Sequence, residues 1–174
     1  MKQLFTTFPS MTTSRLVLRP LKHSDVNEIF ILRSDEAVNK YLDRHRAKSK
    51  EDAIEFISKI EQLVSEGKSL FWAINFKDET SLVGTICLWN LSEEKNSVEI
   101  GYEILPAYEG RGIMNEAMQA VIQFAFDKME ASLIEAAFVP ENSRSLRLLE
   151  KNNFRKNTNA AEQIDNMLLY ELHK

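Results

Sequence analysis

The segment Pro106-Ala107-Tyr108-Glu109-Gly110-Arg111-Gly112-Ile113-Met114-Asn115-Glu116-Ala117 constrains the fold of this chain more than any other. A β-like run over 98–105 stops at the proline, a glycine-punctuated basic turn follows, and a helical pattern begins at once. Such a turn sets unpaired backbone N–H groups at the positive end of a helix dipole, with Arg111 beside them. That arrangement suits an anion, a diphosphate best of all, and Gly110 and Gly112 keep side chains from blocking its approach to the backbone. A tight strand-to-helix turn with no ligand can use the same residues. The segment is no P-loop, because no Gly-Lys-Ser/Thr follows, and it lacks the third glycine of a dinucleotide fingerprint.

A second signal lies downstream, where Val139-Pro140-Glu141-Asn142-Ser143-Arg144-Ser145 leads into Leu146-Arg147-Leu148-Leu149-Glu150-Lys151-Asn152-Asn153-Phe154. Together the two segments resemble the GNAT superfamily of acyl-CoA-dependent N-acetyltransferases. The first is similar to its Q/R-x-x-G-x-G/A pyrophosphate loop, the second to its Asn-x-x-Ser/Ala helix followed by a Gly-Phe strand start. Ser14-Arg15-Leu16-Val17-Leu18-Arg19-Pro20 is similar to the T-x-R-L-x-L-R opening of the Rim-type branch, which contains the acetyltransferases of ribosomal-protein N-termini and many relatives of unknown substrate. Glu99-Ile100-Gly101-Tyr102 also resembles that branch. The resemblance spans roughly 13–171 and implies acetyl-CoA as co-substrate with an amine acceptor, but it does not specify the acceptor.

At 174 residues the chain suits a single domain over 1–174, large enough to fold without disulfides or metal. A net charge of −4 argues against a general nucleic-acid binder, which needs a basic surface. Cys87 is the only cysteine, so no intramolecular disulfide forms, a reducing cytoplasmic setting is expected, and the thiol reads as buried. No segment approaches the apolar length of a membrane span, and residues 1–9 lack the apolar core of a signal peptide. A monomer and a homodimer are both compatible with the sequence.

Apolar spacing gives the element order. A strand over 14–19 precedes a helix capped by Ser24 or Asp25, and a second helix runs over 50–66 to a stop at Gly67. That helix carries Ala53, Ile54, Ile57 and Ile60 at inward spacing. Strands over 69–76, 81–89 and 96–105 form an antiparallel meander. The glycine turn opens a helix, 133–138 is a nearly continuous apolar strand, and a helix over 142–152 leads to strands at 154–156 and 167–172. Polar loops are expected over 43–50 and 157–163. The fold class is α+β: a GNAT-like mixed, mostly antiparallel sheet of six to seven strands with helices on both faces.

Acetyl transfer from a thioester to an amine requires a base, a polarised carbonyl and a stabilised thiolate. Glu99 is the candidate base: alternation places Glu99, Gly101 and Glu103 on one face of their strand, opposite Val98, Ile100, Tyr102 and Ile104. A solvated or salt-bridged carboxylate is the plain alternative for Glu99 and the preferred reading of Glu103. Gly101 permits close backbone approach or marks a bulge. The resemblance implies that Ile104 and Leu105 offer backbone groups to the pantetheine arm, that Gly110, Arg111, Gly112, Ile113, Met114 and Asn115 hold the pyrophosphate, and that Asn142 bonds the arm. It also implies that Ser145 reaches the thioester sulfur. Asn142 is equally a good helix N-cap.

Three positions depart from the family pattern. Glu109 replaces Gln or Arg and leaves phosphate neutralisation to Arg111 and backbone amides, Leu149 replaces a tyrosine acid, and Asn153 replaces a glycine whose left-handed backbone Asn tolerates. His23, His45 and His173 show no metal-ligand spacing, so no metal is expected. Trp72 and Trp89 read as core residues, either of which could instead wall the acceptor site. The acceptor is a protein N-terminus, by analogy with the Rim-type branch, or a small amine such as an amino-sugar, polyamine or drug. A non-catalytic CoA-binding sensor is the alternative from another class.

Overall fold

The computed structural model of the chain describes residues 7–159 and 166–174. The expected loop beyond 159 and the first six residues therefore lie outside the described part. Among the described residues eight strands form one sheet: β1 (Met11–Thr12), β2 (Leu16–Pro20), β3 (Leu70–Phe76), β4 (Gly84–Ser92), β5 (Ser97–Ile104), β6 (Leu133–Phe138), β7 (Arg155–Lys156) and β8 (Leu168–His173). Their order is β1-β2-β3-β4-β5-β6-β8-β7, and every neighbouring pair is antiparallel except β5–β6. The sheet is thus mixed and mostly antiparallel, as expected, with one strand more. The additional β1 is two residues long, too short for periodicity to reveal, and exists because Met11 and Thr12 pair with Leu18 and Val17.

The α-helices are α1 (Val26–Ser34), α2 (Glu36–Asn39), α3 (Lys50–Ser65), α4 (Ile113–Asp127) and α5 (Ser143–Lys151), and short 3-10 turns lie at His23–Asp25 and Pro106–Tyr108. Strand β3 shows why both faces need covering. Leu70, Trp72 and Ile74 point into one core with α4, while Phe71 and Ala73 point into another with α1 and α3. Each fully buried Leu or Ile in these layers contributes about 1.5–3 kcal/mol of transfer free energy. Strand β6 differs from expectation because its burial alternates. Ile134, Ala136 and Phe138 are buried, but Leu133, Glu135 and Ala137 are only half-buried, since the α1/α3 core draws no residue from β6 or β8.

Local signals explain the helix ends. Ser49 and Asp52 form a capping box at the start of α3, and Gly67 follows its end with φ of +68°. Ala53, Ile57 and Ile60 are buried there, whereas Ile54 is exposed, one position outside the inward stripe. At α1, Asp25 occupies the N-cap position but gives its carboxylate to Arg19 at 2.7 and 2.8 Å and to the Lys22 N–H at 2.8 Å. Trp72 is fully buried and meets Phe124 edge-on at 5.6 Å. No helix among the described residues is long and apolar enough to cross a membrane.

Candidate active site

Strands β5 and β6 run parallel only from Ser97↔Leu133 to Glu99↔Glu135 and then part. Strand β6 stays paired with β8 as far as Phe138, and β5 stays paired with β4 as far as Ile104. The backbone edge of β5 facing β6 is therefore left open beyond Glu99. Leu105 cannot serve that edge as expected, because its N–H donates to Val83 O at 2.9 Å and its C=O accepts from Tyr108 at 2.9 Å. Backbone groups alternate sides along an extended strand, so Ile104 turns its N–H and C=O away from β4 and toward the opening.

Above the opening sits the glycine turn. Gly112 is the N-cap of α4, and both Gly110 and Gly112 have φ of +73°, a conformation that favours glycine. A Cβ on Gly110 would meet nothing within 4 Å, so open space lies over the turn. The first intrahelical bond runs from Glu116 N–H to Gly112 O at 3.1 Å, so the N–H groups of Ile113, Met114 and Asn115 precede the ladder. Such a cradle fits a diphosphate. Below it Arg15 holds the turn, donating to Arg111 O at 3.2 Å while its Nε grips Glu116 at 2.7 Å. Neither link was legible from sequence. Arg111 itself departs from expectation: its guanidinium lies over the Tyr108 ring, 5.3 Å from the centroid, and does not line the cavity beneath the turn.

That cavity, of about 610 Å³, runs between the turn, the start of α4, the open edge of β5 and helix α5. Gly110, Gly112, Ile113, Met114, Asn115 and Ile104 line it, as do Asn142 and Ser145. Its cations come from α5 as Arg144, Arg147 and Lys151. Arg144 pairs with Glu109, which explains how the acidic departure in the turn is neutralised. At the start of α5, Asn142 Oδ1 accepts from Ser145 N–H at 3.1 Å and so acts as the N-cap. The Ser145 hydroxyl is buried and lies 2.5 Å from the Tyr102 hydroxyl. Leu149 is fully buried, and Asn153 takes the left-handed turn at φ of +65° that the sequence implied.

Glu99 lies where β5 and β6 part, on the sheet face opposite Tyr102 and outside the cavity lining. Burial pushes its carboxyl above the usual glutamate value; Asn90, donating at 3.3 Å, pulls it down, and its cross-strand neighbour Glu135 pushes it up. A carboxylate held closer to neutrality is better matched to proton abstraction. Glu103, four residues on, does line the cavity but is held by the Arg44 guanidinium, with one bond at 2.9 Å. Trp89 is no core residue: it is 45% exposed, opposite Glu99 in register, with its ring nitrogen near Gly101. Gly101 makes room for Cys87, whose Sγ would sit 3.1 Å from an added Cβ, while the ladder irregularity lies at Asn90 in β4. Burial pushes the Cys87 thiol up to about 12, so it stays protonated and inert.

The GNAT acetyltransferase domain model matches residues 15–155, from the Arg15 brace through α5. The chain belongs to the GNAT acetyltransferase family. An uncharacterised N-acetyltransferase, YoaA of Bacillus subtilis (strain 168), is 34% identical over 149 residues, covering 86% of this chain and 84% of the relative. The uS5-alanine ribosomal-protein N-acetyltransferase of Escherichia coli (strain K12) is 26% identical over 98 residues, covering 56% and 50%. A solved GNAT-family acetyltransferase from Bacillus anthracis superposes with a TM-score of 0.80 at 26% identity, covering 95% of this chain and 98% of that one. The protein is an acetyl-CoA-dependent acetyltransferase with a Rim-like opening motif.

Proposed function

We propose that this GNAT enzyme acetylates a primary α-amine at a protein N-terminus, with Glu99 as general base acting through water. Acetyl-CoA supplies an acyl group activated as a thioester. Backbone N–H groups of Gly110, Gly112, Ile113, Met114 and Asn115 hold the pyrophosphate, and Arg147 and Lys151 add positive charge from α5. Ile104 presents its backbone to the pantetheine arm at the open edge of β5. Glu99 takes a proton from the acceptor ammonium, the amine nitrogen attacks the carbonyl carbon, and the C–S bond breaks as the C–N bond forms. Ser145 donates a hydrogen bond to the leaving thiolate.

The observation that carries this reading is the meeting of two features at one place. A glycine-capped helix start and a parted pair of strands share a cavity, and a perturbed carboxylate, bonded by the neutral Asn90 amide, stands at the vertex. An N-terminal acceptor is supported by the relative that acts on ribosomal protein uS5 and by the open approach past Trp89 and Leu42, 45% and 40% exposed. A cytoplasmic enzyme with one cysteine fits that acceptor class. The test is thiol release from acetyl-CoA with three acceptors: short peptides bearing a free α-amine, spermidine and an aminoglycoside. Peptide acetylation supports the reading; acetylation of only the small amines overturns the acceptor assignment.

A further inference from the structure

Helix α5 supplies Ser145, but strand β5 controls the direction in which its hydroxyl can point. Tyr102 shares its strand face with Val98 and Ile100 and reaches Ser145 Oγ at 2.5 Å, from a position 43 residues earlier in the chain. Both residues line the cavity. A serine hydroxyl has one proton and two lone pairs, so the identity of the donor in this contact decides where the serine proton goes. A phenol is a far stronger acid than an aliphatic alcohol and is the better donor. Burial keeps the Tyr102 phenol protonated, pushed up to about 12 although the Ser145 contact pulls the other way. The local backbone bonds of this helix start are made without the Ser145 hydroxyl. The Ser145 backbone N–H goes to Asn142 Oδ1, while the carbonyls of Glu141 and Asn142 accept from Ser143 and Leu146.

We propose that Tyr102 is a positioning residue for the transfer step: its phenol donates to Ser145 Oγ, which leaves the single Ser145 proton to face the cavity and the departing thiolate. This rests on the reading of Ser145 given above. As the amine nitrogen bonds to the carbonyl carbon, the C–S electron pair passes to sulfur, and the Ser145 O–H donates a hydrogen bond to that charge. The proton that the amine loses to Glu99 returns through water to the thiolate, so neither Tyr102 nor Ser145 is consumed. With Leu149 filling the helix position where other branches keep a tyrosine, a phenol still reaches this part of the cavity, but from the strand and through a serine.

The experiment compares wild type, Tyr102→Phe, Ser145→Ala and the double variant, using acetyl-CoA with a saturating α-amino peptide, and spermidine and an aminoglycoside as further acceptors. Tyr102→Phe keeps the ring and so the packing. It is expected to lower kcat about tenfold, the size of one ordinary hydrogen bond, with KM for acetyl-CoA within about twofold. Added to Ser145→Ala, it is expected to cause no further loss, because the hydroxyl it orients is gone. Wild-type kcat in Tyr102→Phe, or losses that multiply in the double variant, overturn the inference while leaving the enzyme assignment intact. Full activity in Ser145→Ala overturns both the role of Ser145 and this inference. No thiol release by the wild type with any of the acceptors contradicts the proposed transfer reaction itself.

Discussion

Arg15 grips Glu116 twice, through Nε at 2.7 Å and through its backbone N–H at 2.8 Å. The Thr13 hydroxyl adds a third bond to the same carboxylate at 2.6 Å. The opening motif therefore braces the first turn of α4 from below, and Arg15 reaches on to Arg111 O at 3.2 Å. Glu116→Ala is expected to lower stability by about 1–3 kcal/mol and to weaken acetyl-CoA binding, as read by denaturant unfolding and calorimetry. Burial raises the Glu116 carboxyl, but the bonds from Thr13 and Arg15 outweigh it and the net shift is downward. A depressed carboxyl stabilises the fold above its unfolded pKa and loses that contribution as pH falls through the folded value. The stability gap between wild type and Glu116→Gln should thus close in acid, below the ordinary glutamate range. A gap that is constant with pH contradicts the brace.

Glu99→Gln is expected to lower turnover by about 10²–10⁴ with acetyl-CoA binding retained, and to remove the acid limb of the pH–rate profile. The same substitution should raise stability at neutral pH. A carboxyl raised in the folded state favours folding below its unfolded pKa, and that advantage disappears as pH rises through the folded pKa. The neutral amide carries no such penalty and feels no repulsion from Glu135. A variant with full turnover, or one less stable than wild type at neutral pH, contradicts the assignment.

Two arginines separate the sequence reading from the structural one. Arg111→Ala should leave acetyl-CoA affinity within about twofold, because its guanidinium rests on Tyr108 and not in the cavity. Arg147→Ala should weaken affinity by about ten- to a hundredfold, the range of a charge-assisted hydrogen bond. The reverse ranking, measured by calorimetry, contradicts the location of the phosphate charge.

What was legible in the sequence was local. The glycine turn opening α4, Asn142 as the cap of α5 and Asn153 in its left-handed turn follow from the backbone preferences of single residues. The strand face of Glu99 followed from alternation. The pairing of Glu109 with Arg144 and the contact between Tyr102 and Ser145 depend on how α5 meets the turn and β5 across the parted strands, which no window of sequence encodes, while Arg111 is turned aside by a ring three residues before it. Leu105 and Trp89 failed for the same kind of reason. The first is claimed by Val83 and Tyr108, and the second sits on a sheet face left uncovered beside β6. Periodicity says which side of an element is apolar, but not where its covering layer stops.

The central claim, that the glycine turn and the parted strands form the acetyl-CoA site, is tested most directly by thermal unfolding with and without the ligand. At about 100 times its dissociation constant, acetyl-CoA binding only the folded chain adds about 2.7 kcal/mol and raises the melting temperature. Gly112→Glu places bulk and negative charge at the N-cap of α4, at a backbone conformation costing about 1–2 kcal/mol for a side chain, so it should melt somewhat lower alone and show no shift with acetyl-CoA. A wild-type melt unmoved by millimolar acetyl-CoA, or an equal shift in the variant, contradicts the account.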